Sequence, residues 1–310
     1  MQSIPFEKRS TPLPRHARAG GGEPWAMATR ETEMLQAEDG YELGTSWYYP
    51  ERLARGAVLL APAMAVPQLY YDAFARWLAD RGFLAVTFDY RGIGGSLHGK
   101  LRDVGGDLFT WARDTGTVLS VLRQRAKGLP ITWIGHSLGG QLVPFVPGHE
   151  HAQRIVTIAT GTGYWRHNAR PTRLRAGLLW HAIVPPLLAA YGYFPGKRFN
   201  MVGDLPHGVM KQWRSWCMHP EYLVGIEGDA ARQRFASVTV PLTSISFTDD
   251  EMMSSRNTEI LHAFYTGTRR EMVRLTPGDV GLPRIGHFGF FRRNMKDALW
   301  NRLIAPLLPS

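Results

Sequence analysis

The residues of this chain best suited to chemistry form the string Gly135-His136-Ser137-Leu138-Gly139. A serine hydroxyl is a poor nucleophile at neutral pH and becomes useful when a neutral imidazole takes its proton. The string alone says little, because a chain of 310 residues with 33 glycines produces one by chance about 0.15 times. Its setting says more. The apolar run from Ile131 to Ile134 leads straight into it and a helical pattern follows, so the serine falls on a sharp strand-to-helix turn that small flanking residues make possible. The chemistry to expect is acyl transfer through a covalent serine intermediate, with one of the eleven histidines as base.

Other clusters offer less. His149-Glu150-His151 lacks the spacing that sets two imidazoles on one helical face, and reads as a polar loop. The glycines at 20–22 and 92–95 fit neither a phosphate-binding loop nor a dinucleotide fingerprint. No metal and no cofactor is therefore expected.

The elements that must position Ser137 follow from periodicity. Two strands around the Asp39-Gly40 turn are expected between Met27 and Tyr49. Ala57–Ala61 and Phe83–Phe88 read as buried strands, with an amphipathic helix over Tyr70–Arg81 between them and another over Leu108–Ala126. After the serine a helix begins that Pro144 must shorten or kink. Arg154–Ala159 is the next strand, and the pattern resumes at Val240–Phe247 after a gap of about eighty residues. Ser255–Tyr265, Glu271–Leu275 and Asn294–Ile304 complete it as helix, strand and closing helix. Alternation of this kind predicts an α/β fold, a mostly parallel sheet with helices on both faces, whose site lies beyond the carboxyl ends of the strands.

Gly135-His136-Ser137-Leu138-Gly139-Gly140 resembles the nucleophile elbow of the α/β-hydrolase superfamily, and Asp89-Tyr90-Arg91-Gly92-Ile93-Gly94-Gly95-Ser96 resembles a structural loop near its site. The resemblance runs from Tyr41 to Ile304 and is closest to predicted bacterial hydrolases of the serine-aminopeptidase and monoacylglycerol-lipase-like group. It implies an α/β-hydrolase fold with Ser137 as nucleophile. It implies His287 as base, in the Gly286-His287-Phe288-Gly289 loop after the last strand. For the acid it implies Asp250, three residues past a strand end where the family has glycine and this chain has Phe247, with Asp249 as the rival. It implies the N–H of Leu138 as one oxyanion donor. Matching Pro62-Ala63-Met64-Ala65 to the family's His-Gly pair makes Met64 the other donor, and a slip of one residue would select Ala63. His136 adjoins the nucleophile at a position the family does not use as base, so a packing role is expected.

The division expected is a basic flexible tail over 1–27, a hydrolase core over 28–160 and 236–310, and an inserted helical cap over 161–235. The cap is rich in aromatics, and Trp165, Trp180 and Tyr191 are the residues assigned to the substrate pocket. The other use for such residues is to pack the cap's own helices. The apolar stretch Ala176–Phe194 is interrupted by His181, Pro185 and Pro186, so a spanning helix is not expected, and peripheral membrane contact is a secondary possibility.

The formal charge of +10 favours acidic partners in general. It is scattered, with no zinc-finger or RNA-binding signature, and no nucleic acid is expected as partner. Cys217 is the single cysteine, which excludes an intrachain disulfide and fits a reducing cytoplasm. The expected function is hydrolysis of a small-molecule ester, with apolar acyl or alcohol part, through an acyl-enzyme. Alternatives are an acyltransferase or thioesterase with the same three residues, and a binding protein that kept the fold and lost catalysis.

Overall fold

The computed structural model describes residues 29–199, 201 and 203–310. The tail expected over 1–27 lies outside the described residues. The first element is a hairpin of β1 (Thr29–Gln36) and β2 (Glu42–Tyr49), paired antiparallel with Thr29 opposite Tyr49, and it turns at Gly40, whose φ is +82°. Then come β3 (Gly56–Ala61), α1 (Asp72–Ala79), β4 (Phe83–Phe88), α2 (Leu108–Ala126) and β5 (Ile131–His136). A single helical turn, α3 (Leu138–Gln141), follows β5 and breaks into a tighter turn over Val143–Phe145. Pro144 causes the break, since it has no N–H to continue the ladder.

After β6 (Arg154–Ile158) the chain leaves the sheet. It builds α4 (Arg170–Leu178), a wider π-type turn at Leu179–Ile183, α5 (Val184–Tyr191), the short strands β7 (Tyr193–Phe194) and β8 (Leu205–Pro206), α6 (His207–Met218) and α7 (Tyr222–Ser237), which is broken at Gly228. It returns as β9 (Leu242–Phe247), two residues later than expected, because Pro241 cannot donate to a ladder. α8 (Ser255–Ala263), β10 (Arg270–Leu275) and the one-turn α9 (Gly286–Gly289) come next. The closing element is a tight turn at Arg293–Met295 and a wide π-type helix over Lys296–Ile304, rather than one regular helix.

Eight strands form one sheet in the order β1-β2-β4-β3-β5-β6-β9-β10, antiparallel at β1-β2-β4 and parallel from there on. The central strands β3, β4 and β5 are buried along their whole length because both of their faces are covered, whereas the edge strand β10 is largely exposed. In β3, Ala57, Leu59 and Ala61 enter the core beneath α2, whereas Val58 and Leu60 enter the core beneath α1 and the closing helix. Trp133 and Ile134 of β5 divide in the same way, as the two-residue period of a strand requires. Helix starts are fixed by reciprocal caps, Asp107 with Thr110 on α2 and Ser254 with Asn257 on α8. The 161–235 segment is tied to α2 where Gln212 of α6 accepts the Leu108 N–H at 2.8 Å. No helix of the described residues is long and apolar enough to cross a membrane.

Candidate active site

Ser137 leaves the end of β5 with φ +50° and ψ −108°, a conformation that costs an ordinary residue on the order of 1–3 kcal/mol. The surroundings hold it there. Its N–H donates to Ile158 O of β6 at 2.9 Å, and its own carbonyl accepts from Gly140 N, Gln141 N and Thr160 Oγ1. The flanking glycines are required by space. A Cβ at Gly135 would stand 2.5 Å from the Gly139 carbonyl oxygen, and one at Gly139 would overlap the Ala61 carbonyl of β3.

His287 lies in α9, and its Nε2 is 3.1 Å from Ser137 Oγ. Its Nδ1 is 2.9 Å from Asp250 Oδ2 and 3.1 Å from Oδ1. A carboxylate only accepts, so Nδ1 carries the proton and the Nε2 lone pair faces the serine hydroxyl. All three side chains are buried, the serine at 7% and the histidine at 1% exposed. Asp250 Oδ1 also accepts the N–H groups of Met252 and Met253, each at 2.8 Å, which fixes the carboxylate plane.

The rivalry between Asp249 and Asp250 resolves into two different contacts. Asp249 Oδ2 accepts the N–H groups of Ile285 and Gly286, at 2.8 and 3.1 Å, and Glu251 Oε2 accepts the N–H of His287 at 3.1 Å. The middle acid therefore grips the ring while its two neighbours grip the backbone of the turn that carries the ring. Phe247, where a glycine was expected, is fully buried and stacked on Phe290 at 6.0 Å.

His136 is fully buried, with Nε2 3.1 Å from the His287 carbonyl oxygen and Nδ1 2.9 Å from Tyr71 Oη. Burial holds its pKa well below the usual histidine value, with the nearby His287 acting in the same direction. Neutral His136 thus donates from Nε2 to the carbonyl, and Tyr71 donates its hydroxyl proton to Nδ1. Tyr71 Oη in turn accepts the Ala63 N–H at 2.8 Å. That bond occupies Ala63. Among the hydrogen bonds of the described residues, the N–H groups of Met64 and Leu138 have no acceptor, and both residues border the cavity at Ser137.

The loop Asp89–Ser96 is structural here. Asp89 accepts from Gln68 N, Gln68 Nε2 and Gly95 N, and burial raises its pKa. Arg91 bridges Asp114 at 2.7 Å and Asp39 at 2.8 Å. In the loop His149–His151, read from the sequence as polar, His149 Nδ1 meets the Val146 carbonyl and His151 Nε2 meets Arg123.

The cavity at Ser137 is lined by Met64, Gln141, Trp213, Met252, Met253 and Phe288 and leaves only ≈ 20 Å³ open to the centre of a water molecule. The three aromatics assigned to it from sequence, Trp165, Trp180 and Tyr191, do not line it. Trp180 sits one layer back, edge-on against Trp213 at 5.0 Å. Trp165 packs on Gly177 and His181, and Tyr191 on Tyr193. The reason is rotational. Trp213 shares an aromatic-rich segment with them, and only the way α6 is turned gives it the cavity. Tyr71, Glu251 and the two methionines also escaped notice, since none belongs to a motif. The acidic run Asp249-Asp250-Glu251 was the one available signal, and it was read for a single acid.

The chain matches the family model described as serine aminopeptidase, S33, over residues 52–193. A monoacylglycerol lipase of Mycolicibacterium smegmatis is 24% identical over 255 residues, 76% of this chain and 84% of the lipase. Among solved structures, a thermostable carboxyl esterase from Bacillus coagulans, in complex with glycerol, superposes with a TM-score of 0.61 at 14% identity, covering 90% of this chain and 97% of that one. A soluble variant of monoglyceride lipase from Saccharomyces cerevisiae, in complex with a substrate analogue, gives 0.59 at 19% identity, covering 80% and 86%. With a serine raised on this turn and a sheet of this order, the chain has the α/β-hydrolase fold, and over residues 52–193 it is similar to that family.

Proposed function

We propose that the protein is a serine hydrolase that cleaves a carboxylic ester with an apolar acyl or alcohol part. The observation that carries this is the unbroken chain of contacts from Ser137 Oγ through the His287 ring to Asp250. In the first half-reaction Ser137 Oγ attacks the carbonyl carbon while its proton passes to His287 Nε2. The carbonyl oxygen becomes an oxyanion, which the N–H groups of Met64 and Leu138 receive, each contributing about 3 to 4 kcal/mol. As the tetrahedral centre collapses the alkoxy C–O bond breaks, and His287 returns its proton to the departing alcohol. Water then repeats the sequence on the acyl-enzyme, with His287 again as base, and frees the acid. Asp250 stays ionised throughout and stabilises the imidazolium.

The apolar preference is supported by the lining, where Met64, Trp213, Met252, Met253 and Phe288 face the serine. The relatives named as esterases and lipases support the bond class. The 161–235 segment serves as a cap, and with so little open space, substrate entry requires Trp213 and the methionines to move aside. A cytoplasmic place of action fits the lone, buried Cys217.

The test is labelling with a fluorophosphonate probe followed by an ester panel graded by acyl length. Ser137 takes the label, and Ser137→Ala and His287→Ala abolish it, with kcat falling by about 10⁵ to 10⁶. A folded wild-type sample that takes no label and cleaves no ester refutes the reading.

A further inference from the structure

On the other side of the Met64 loop lies a second and larger cavity of ≈ 490 Å³, a size suited to a small-molecule ligand. Met64 borders the serine's cavity and the next residue, Ala65, borders this one. Ala65 has a left-handed backbone, φ +59°, and Gly203 presses on it so closely that a Cβ at 203 would stand 3.1 Å from its own. The cavity thus lies, open to solvent on one side, between the loop that supplies the proposed oxyanion donor, the loop after β4, and the segment joining α5 to α6.

Its charge is one-sided. Lys100 and Arg102 enter from the loop after β4 and Lys197 from the segment after α5, against a single lining carboxylate, Asp204. Asp204 Oδ1 is engaged by the Lys197 backbone N–H at 2.9 Å. Among the described residues, none of the three cationic side chains has a hydrogen bond or a carboxylate within ion-pair distance. Arg91, by contrast, is paired with Asp39 and Asp114, and Arg125 with Glu33. The remaining wall is apolar, with Leu97, Leu101 and Tyr193 prominent.

Three like charges around one concavity repel one another, and an anion among them turns that repulsion into charge-assisted hydrogen bonds. An arginine and two lysines suit a phosphate or a carboxylate. An apolar wall beside them suits an organic body attached to that group. We propose that this cavity binds an organic anion, a phosphate- or carboxylate-bearing molecule with an apolar portion, held by Lys100, Arg102 and Lys197. The assignment does not depend on the catalytic reading, because it concerns a different set of side chains.

Titration calorimetry of the full chain with phenyl phosphate tests it, with phenol as the uncharged control. Phenyl phosphate binds saturably, and both the combined Lys100→Gln, Arg102→Gln, Lys197→Gln variant and a rise to about 0.5 M salt weaken it by about tenfold or more. Phenol binds at least about tenfold more weakly. These side chains are exposed, so the substitutions leave the melting temperature in place, and single Lys197→Glu serves as an independent second variant. Absence of saturation, or equal affinity in wild type and both variants, overturns the proposal. Hydrolysis of 1-butyrylglycerol against its 3-phosphate then identifies the source. A preference for the phosphate that the triple variant loses makes the anion part of the substrate; equal rates, with phenyl phosphate still bound at the three cations, make it a separate ligand. Fluorophosphonate labelling of Ser137 persists in all these variants, so loss of this site and loss of the hydrolase reading are separate results.

Discussion

The sheet end that carries Ser137, Asp250 and His287 and the 161–235 segment that sends Trp213 to meet them are built by different rules. At the sheet end, neighbouring backbone groups answer to named partners: Ile158 takes the serine N–H, Asp249 takes two N–H groups of the histidine turn, and Glu251 takes a third. In the inserted segment the helix changes width at Leu179–Ile183, breaks at Gly228, and leaves Leu174 and Leu178 77% and 60% exposed. Proton transfer demands fixed distances between atoms, whereas a pocket wall demands only volume and apolarity. The difference between the regions follows that difference in demand.

Exchanging carboxylate for amide at adjacent positions is the most severe test of this contrast. Asp250→Asn loses the charge that holds and stabilises the His287 ring, and kcat drops by about 10⁴ with the fold intact. Asp249→Asn weakens backbone bonds only, costs about 1 kcal/mol of stability and keeps kcat within about tenfold. Steady-state ester hydrolysis and thermal melting on both variants check it, and equal kinetic losses would erase the division of labour between the acids. The next effect is steric. Gly139→Ala drives a methyl into the Ala61 carbonyl, lowering stability by about 3 kcal/mol as read from urea midpoints.

Acid sharpens the contrast further, because buried neutral imidazoles stand behind the sheet end. His262 bonds Thr157 of β6 and the Thr258 carbonyl, and burial lowers its pKa to about 4; His136 is lowered in the same direction. A histidine depressed from about 6.5 binds its proton more readily in the unfolded chain, so its stabilisation is complete above about pH 6.5 and is lost as pH falls toward the folded value. Unfolding at pH 5 against pH 7 therefore shows about 2 kcal/mol less stability from His262 alone, and His262→Gln flattens that slope. An unchanged urea midpoint between the two pH values would show these rings to be solvated.

How much of this was legible in the sequence follows the same line. Strand alternation, the G-x-S-x-G turn and the order of serine, acid and histidine gave the sheet and brought three distant residues together, because those features arise from periodicities and local backbone needs that a linear string records. The aromatics of the insertion were visible as a composition, but which one reaches the serine depends on the rotation of α6 against α2, a matter of packing that no spacing encodes. Tyr71 and Glu251 escaped for a related reason. Glu251 acts through the backbone N–H of His287 and Tyr71 through the backbone N–H of Ala63 together with the His136 ring, and backbone partners leave no trace in side-chain pattern. Pro62 and Phe247, departures from the family's pattern, are accommodated without moving the three side chains apart. The Pro62 carbonyl is held by Tyr90 Oη at 3.1 Å, and Phe247 fills space beside Phe290.

Smaller effects belong to the inserted segment. Trp213→Ala widens the cavity at Ser137 and shifts the ratio of kcat/KM for long over short acyl esters by about tenfold, while Trp180→Ala, one layer back, shifts it by less. A panel of 4-nitrophenyl esters reads both, and a larger shift from Trp180 than from Trp213 would place the wrong ring at the serine.

Least of all should follow from Leu174→Ser combined with Leu178→Ser. Both side chains lie on the outer face of α4, one helical turn apart, and are already mostly in water. Their removal takes away little buried area, so stability stays within about 0.5 kcal/mol of wild type. Neither residue borders the serine's cavity, so kcat/KM for a water-soluble short-chain ester is unchanged as well. Urea unfolding and ester kinetics on the double variant check the two halves separately. A loss of stability near that of Gly139→Ala would mean that this face is covered in solution, and that the looseness of the inserted segment belongs to the isolated chain alone.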